Sequence, residues 1–253
     1  MSAPGPDDPK APPWMTCLDV EGQDAAHYRD HVNEGLLQGI SAEPAYVLEL
    51  GCAAGAFGQA LKARYPKAHV TGIEAGRAAA EVAATRIDRV INARLEDVDF
   101  AAENLRPGMF DLVIAGDVLE HMVNPWAALT KVRPLIAPGG SLVASIPNVR
   151  NLQVIATLAL EGRFEYRERG LLDVTHLRFF TLTEIRLMFE QTGYALENFL
   201  AILSPALQKV YQENQGSAKL NLHAGRLTID DVTPRELTEL CADQFIVRAS
   251  VRA

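Results

Sequence analysis

The segment Val47-Leu48-Glu49-Leu50-Gly51-Cys52-Ala53-Ala54-Gly55-Ala56-Phe57-Gly58 sets the frame for the whole chain. An apolar strand ends on an acidic residue, a turn of Gly and Ala follows, and a helix begins. Small residues let the backbone pass close to a ligand, and the first turn of a helix offers it free N–H groups. The spacing is acid-x-Gly-x-x-x-Gly, not the Gly-x-Gly-x-x-Gly that cradles a pyrophosphate. Glu49 would repel a pyrophosphate and attract an ammonium or a sulfonium. Alanine at position 53 implies an ordinary backbone conformation there.

Working outward, short apolar strands alternate with helices. Strands are expected at Tyr46–Leu50, Val70–Ile73, Arg89–Asn92, Leu112–Ala115 and Ser141–Ile146, the last after a turn at Pro138-Gly139-Gly140. Helices are expected at Phe57–Arg64, Arg77–Arg86 and Pro125–Leu135. Such alternation means βαβ units and a mainly parallel sheet covered on both faces. Upstream, the spacing of Ala25, Tyr28, Val32, Leu36 and Leu37 predicts a helix over Glu21–Gln38. Downstream, Leu152–Leu160 reads as helix and is followed by the charged aromatic run GRFEYRERG. Thr181 and Glu184 form a capping-box pattern, with Gly193 as terminator. Ala195–Leu203 and Gln244–Val251 read as late strands, whereas Tyr211–Asp231 shows no readable period.

The expected organisation is a disordered, proline-rich arm over residues 1–13 and a single domain over 14–253, with an insertion at about 148–180 acting as a lid over an acceptor site. The 253 residues are 48% hydrophobic and 22% charged, with a formal charge of −8. No apolar run approaches the ~18 residues of a membrane span, and the first residues resemble neither a secretory signal nor an anchor. Cys17, Cys52 and Cys241 are too widely spaced for a disulfide framework or a paired zinc motif, which suits a reducing cytoplasm. The acidic balance argues against nucleic acid as partner, and the lack of a membrane-length apolar run argues against a membrane. A homo-oligomer is compatible with all of this.

About twenty residues beyond the glycine turn, Glu74 ends the second strand, where a carboxylate can take both hydroxyls of a ribose. Together these features resemble the class I S-adenosylmethionine (SAM)-dependent methyltransferases. VLELGCAAG is similar to that family's first motif, IEAG to its second, FDLVIAGDVLEHMVNPW to its fourth-strand motif and LIAPGGSLVASIPN to its fifth. The resemblance covers roughly Ala45 to Gly193. It implies a Rossmann-like α/β fold: a seven-stranded, mostly parallel sheet with helices on both faces, an antiparallel last strand and a lid insertion after the fifth strand. It also implies a cofactor lining of Glu49, Gly51, Cys52, Ala53, Gly55, Phe57, Glu74, Ala75, Leu95, Glu96, Asp117 and Val118. S-adenosyl-L-methionine is the implied methyl donor and S-adenosyl-L-homocysteine the product. Arg94 stands where the family often has an aspartate for adenine.

The acceptor should lie beyond the carboxyl ends of the fourth and fifth strands. Asp117 and His121 are four apart and share a face on a helical turn. Asp173, Thr175, His176 and Arg178 are polar groups set among apolar and aromatic ones just before a helix, and interior polar groups need partners. The run from Ser145 to Thr181 also resembles methyltransferases acting on sugars and glycans. His176 is the expected base, oriented by Asp173, with His121 as runner-up, and Arg178 either binds an acceptor anion or packs on an acid. Phe179 and Phe180 are expected to fill the core under the lid. Asp117, His121, Asp173 and His176 have no metal-motif spacing, so no metal ligand is assigned, although a divalent ion is compatible with them. The expected activity is transfer of a methyl group to a small-molecule hydroxyl, with N-methylation, a nicotinamide oxidoreductase and a non-catalytic partner subunit as alternatives.

Overall fold

A computed structural model describes residues 32–252, so the 1–13 arm and the first part of the expected 21–38 helix lie outside the described residues. Helix α1 covers Glu34–Gly39, with the Asn33 side chain accepting from Gly35 N at its start. The alternating half then runs β1 (Tyr46–Leu50), α2 (Ala56–Arg64), β2 (His69–Glu74), α3 (Arg77–Ala83), β3 (Arg89–Asn92), β4 (Phe110–Gly116), α4 (Pro125–Val132) and β5 (Ile136–Pro147). After it come α5 (Leu152–Glu161), α6 (Leu182–Gln191), β6 (Tyr194–Leu203), α7 (Gln208–Asn214), β7 (Leu220–Ala224), β8 (Leu227–Val232), α8 (Pro234–Cys241) and β9 (Ala242–Val251). The main sheet has the order β3-β2-β1-β4-β5-β9-β6. Strands β1 to β5 pair in parallel, and β9 runs antiparallel to both β5 and β6.

Side chains of successive strand residues point to opposite faces, and the core divides accordingly. Val47, Leu112, Ile114 and Val143 pack with α1 and α2 residues such as Leu36, Phe57 and Leu61 on one face. Leu48, Val113, Leu142 and Phe245 pack with Leu129 of α4 and Ile185, Met188 and Phe189 of α6 on the other. The apolar strand runs read in the sequence therefore reflect burial on both sides.

One strand boundary differs from expectation. Pro138-Gly139-Gly140 does not precede β5 but lies inside it, because the β4–β5 register shifts between Phe110↔Ile136 and Leu112↔Ser141. Gly139 has φ +79°, and a Cβ on Gly140 would sit 2.9 Å from the Asp111 carbonyl, so both glycines are required by that irregularity. The stretch without a readable period holds part of α7 and the β7–β8 hairpin, which forms a separate two-stranded sheet. That hairpin packs with α5, α7 and α8 in a third apolar cluster built on Leu152, Leu207, Leu222, Val232, Leu237 and Leu240. A second insertion, between β6 and β9, thus joins the one after β5 to make a cap over the strand ends.

Candidate functional site

The glycine turn leaves β1 through three left-handed residues: Gly51 at φ +62°, Ala53 at +46° and Gly55 at +76°. Ala53 is therefore not in the ordinary conformation expected of it. The turn is pinned from β2: Glu74 Oε2 accepts from Ala53 N at 2.9 Å while Oε1 accepts from Gly76 N at 2.7 Å. Asn92 supports the same corner by donating to the carbonyls of Glu74 and Ala75. Gly51 abuts the loop after β4, since a Cβ there would lie 2.7 Å from Val118 Cγ2.

Glu49 is 5% exposed, and its Oε2 has no hydrogen-bond partner. Burial, then the Glu74 carboxylate, push its pKa up to about 8 against the opposing N–H of Gly58. Any side chain at Gly58 would crowd that carboxylate, with a Cβ 2.8 Å from Oε2. Two residues expected in the cofactor lining point elsewhere. Cys52 and Phe57 send their side chains into the core beneath the turn. Leu95 and Glu96 start a 3-10 turn after β3, and Lys131 Nζ donates to both of their carbonyls.

On the other side of Asp117 lies a cavity of about 590 Å³ between the ends of β4 and β5 and the cap. Asp117, Glu120 and His121 line it from the loop after β4, and Asp173 and His176 from the loop before α6. Asn151 contributes from the start of α5, and Asp243 and Gln244 from the start of β9. Asp117, His121, Asp173 and His176 all line this one cavity. Asp117 is itself left-handed, at φ +50°, with its N–H donating to Ser145 Oγ at 2.8 Å. Its carboxylate accepts from Asn33 Nδ2, which also donates to Gln244 Oε1.

The two histidines meet edge to face, with ring centroids 4.8 Å apart. His121 Nδ1 lies 3.2 Å from the Thr175 carbonyl, and His176 Nδ1 lies 3.3 Å from the Leu171 carbonyl. A carbonyl only accepts, so both Nδ1 atoms carry a proton, which in a neutral ring leaves the lone pair on Nε2. Burial, reinforced by His121, lowers the His176 pKa and keeps that ring neutral. Asp173 does not orient His176 through its carboxylate, which instead accepts from Thr175 N and Thr175 Oγ1 and shapes the loop. Arg178 neither meets an acid nor faces an acceptor: its guanidinium donates to the Leu177 and Val123 carbonyls. Phe180 is buried beside Trp126, whereas Phe179 joins Phe164, Tyr166 and His176 in an aromatic cluster at the cavity edge.

The sequence reading passed over Glu120, although it stands inside the fourth-strand motif next to His121. It is 1% exposed, neither carboxylate oxygen has a partner, and burial followed by Asp117 holds its pKa well above the usual carboxylate range. The available signal was an acid amid apolar residues, Val118-Leu119-Glu120-His121-Met122, with no basic residue a helical turn away. Asn33 and Asp243 could not have been found, because their partners are distant in sequence.

Comparison with known proteins identifies the family. A family model described as a methyltransferase domain matches residues 25–198. The chain is 28% identical over 162 residues to a malonyl-[acyl-carrier protein] O-methyltransferase of Geobacter sulfurreducens, a match covering 63% of this chain and 59% of that protein. It is 29% identical over 171 residues to a ubiquinone biosynthesis O-methyltransferase of Aromatoleum aromaticum, covering 65% and 70%. Among solved structures, a SAM-dependent methyltransferase from Thermotoga maritima superposes with a TM-score of 0.56 at 17% identity, over 87% of this chain and 90% of that one. Another, from Archaeoglobus fulgidus, gives 0.53 at 12% identity, over 81% and 85%. These structural likenesses concern the fold.

Proposed function

Since the chain belongs to the SAM-dependent methyltransferases, we propose that it methylates a hydroxyl of a small polar molecule, a sugar or glycan precursor, releasing S-adenosylhomocysteine. The crevice suits the donor on its own chemistry. Glu49 Oε2 lacks a partner and favours a ligand that brings a positive charge. Each Glu74 oxygen holds one N–H and retains a second acceptor site, which fits the two hydroxyls of a ribose. Leu95 and Glu96 would flank the base, and Asp117 the methionine end.

When bound, the donor supplies an already activated sulfonium methyl, so the protein chiefly has to position a nucleophile about 3 to 3.5 Å away and take up its proton. The observation that carries this reading is the His176–His121 pair at the wall of a polar cavity, each ring held through Nδ1 by a backbone carbonyl. His176 Nε2 is the acceptor of the hydroxyl proton, and the low pKa of the ring keeps that site free at neutral pH. The lining of Asp117, Asn151, Gln153, Asp243 and Gln244 offers the hydrogen bonds that a polyhydroxylated acceptor needs. The surplus of carboxylates over Arg167 and Arg169 supports a second reading, methylation of an amine. The nicotinamide oxidoreductase alternative is set aside by the family match.

Two variants separate the half-sites. Glu74→Ala is expected to weaken SAM binding at least tenfold by calorimetry. His176→Ala is expected to keep SAM affinity while lowering turnover about a hundredfold or more, the scale of lost general-base help. Methyl-labelled SAM offered with sugars, phenols and amines identifies the acceptor class. Label entering amines alone would replace the hydroxyl reading with the second one. Unchanged turnover of His176→Ala at saturating acceptor would remove His176 from the chemistry.

A further inference from the structure

Glu120, His121 and His176 bring one carboxylate oxygen and two imidazole nitrogens within 4.8 Å of one another at the wall of the acceptor cavity. We propose that these three side chains bind a divalent cation of the first transition row, such as Zn²⁺, Mn²⁺ or Co²⁺. Glu120 is the strongest reason. Its carboxyl group is almost wholly buried, yet neither oxygen meets a donor among the described residues. Buried polar groups are nearly always partnered, and an unsatisfied one costs about 1 to 3 kcal/mol or more if charged. A carboxylate only accepts, so its missing partner is a donor or a cation.

The histidines supply the second, independent reason. Their Nδ1 atoms are committed to the Thr175 and Leu171 carbonyls, and for His121 also to Thr175 Oγ1. Thr175 Oγ1 in turn donates to Asp173, so it can only accept from His121. This is the outer arrangement that fixes a metal-binding tautomer, with the lone pair on Nε2. The two ligand-bearing segments are also tied together, since the Glu120 carbonyl accepts from both Leu177 N and Arg178 N. Three ligand atoms sharing one ion stand about 3 to 3.6 Å apart, given metal bonds of about 2.0 to 2.2 Å. From a spacing of up to 4.8 Å, the side chains would draw together by roughly 1 Å on binding. Two imidazoles and one carboxylate with further positions open suit transition ions better than Mg²⁺ or Ca²⁺. The open positions face the cavity, where Asp117 and Asp173 add negative charge.

Cation binding itself does not depend on methyl transfer. Its consequence does rest on the acceptor reading: an acceptor hydroxyl ligated there would lose its proton to cavity water more readily. His121 and His176 would then act through the ion, and direct proton uptake by His176 Nε2 would belong to the metal-free chain alone.

The test uses the full chain, stripped with chelator and dialysed, without SAM or acceptor. Titration with Co²⁺ is expected to give visible absorption bands that saturate at one ion per chain, displaced by Zn²⁺. Glu120→Gln and His176→Ala should each weaken binding at least tenfold. His223→Ala, an exposed histidine of the β7–β8 hairpin, should bind normally. Folding is controlled by thermal melting: in chelator Glu120→Gln should melt at or above the wild-type temperature, because it removes an unpartnered buried acid. Added Zn²⁺ should raise the melting temperature of wild type and of His223→Ala but not of Glu120→Gln. Absence of saturable binding of Co²⁺, Zn²⁺ or Mn²⁺ to wild type would overturn the proposal. So would wild-type affinity in Glu120→Gln, or a Glu120→Gln protein that melts well below wild type in chelator. A chain that binds the ion yet methylates nothing would defeat only the reading of its activity.

Discussion

At the tip of β1 a carboxyl group is held where its charged form is disfavoured. Glu49 has a pKa near 8 when folded and an ordinary one near 4.5 when unfolded, so between those values the unfolded chain gives up a proton that the folded chain keeps. Stability from this group is therefore fully present below about pH 4.5 and is lost as pH rises through 8. Glu49→Gln removes the effect: its stability relative to wild type should grow by about 5 kcal/mol across that window, read as the difference in melting temperature between the two proteins. A constant difference would mean that Glu49 titrates normally. Ala53 makes a smaller demand. At φ +46° an alanine pays roughly 1 kcal/mol that glycine does not. Ala53→Gly should thus gain up to about 1 kcal/mol in urea unfolding, while Ala53→Val should lose about 1 to 2. The acid, the glycine spacing and Glu74 were legible because they are local. The strain at Ala53 was not, since residue type alone suggested a relaxed turn.

At the scale of elements, the start of the first insertion shows where local reading stops. The run Pro147-Asn148-Val149-Arg150-Asn151 lies near the predicted crevice and invites a substrate role. Asn148, however, is fully buried and donates to the carbonyls of Glu239 and Ala242 while accepting from Arg150 N. Arg150 pairs with Glu236 and with the buried Glu239 of α8. These residues fasten the insertion to α8 and to the start of β9, about ninety positions away, and no pattern within the run could have disclosed that. Asn148→Ala strands two buried carbonyls and one N–H, so a loss of about 2 to 3 kcal/mol is expected in chemical denaturation. SAM affinity should change little, because Asn148 belongs to the cap attachment and not to the glycine turn. The start of α8 was legible in principle: Thr233-Pro234-Arg235-Glu236 makes a full reciprocal capping box. It was lost beside the unreadable hairpin.

Across the whole molecule, apolar side chains gather in two layers on the sheet and a third cluster in the cap. The sheet was legible from β1 to β5 because each strand is apolar on both faces and each helix short and bounded. The cap was not, because α5, α7, the hairpin and α8 acquire a buried face only when assembled. Tyr211 and Leu220, for instance, remain partly exposed even then. That difference in construction implies a difference in stability, since regions with fewer buried apolar contacts open by themselves at lower free energy. Native-state hydrogen exchange should find the amides of β7, β8 and α8 less protected than those of β1 and β4. Leu222 sits at the centre of the cap cluster, 5% exposed, and Leu222→Ala should cost about 2 to 4 kcal/mol there. If the cap opens as its own unit, that loss appears in the cap amides and leaves β1 and β4 at their wild-type protection. Equal loss of protection in β1 and β4 would show instead that cap and sheet unfold together, and the acceptor cavity between them would then have no independent means of opening.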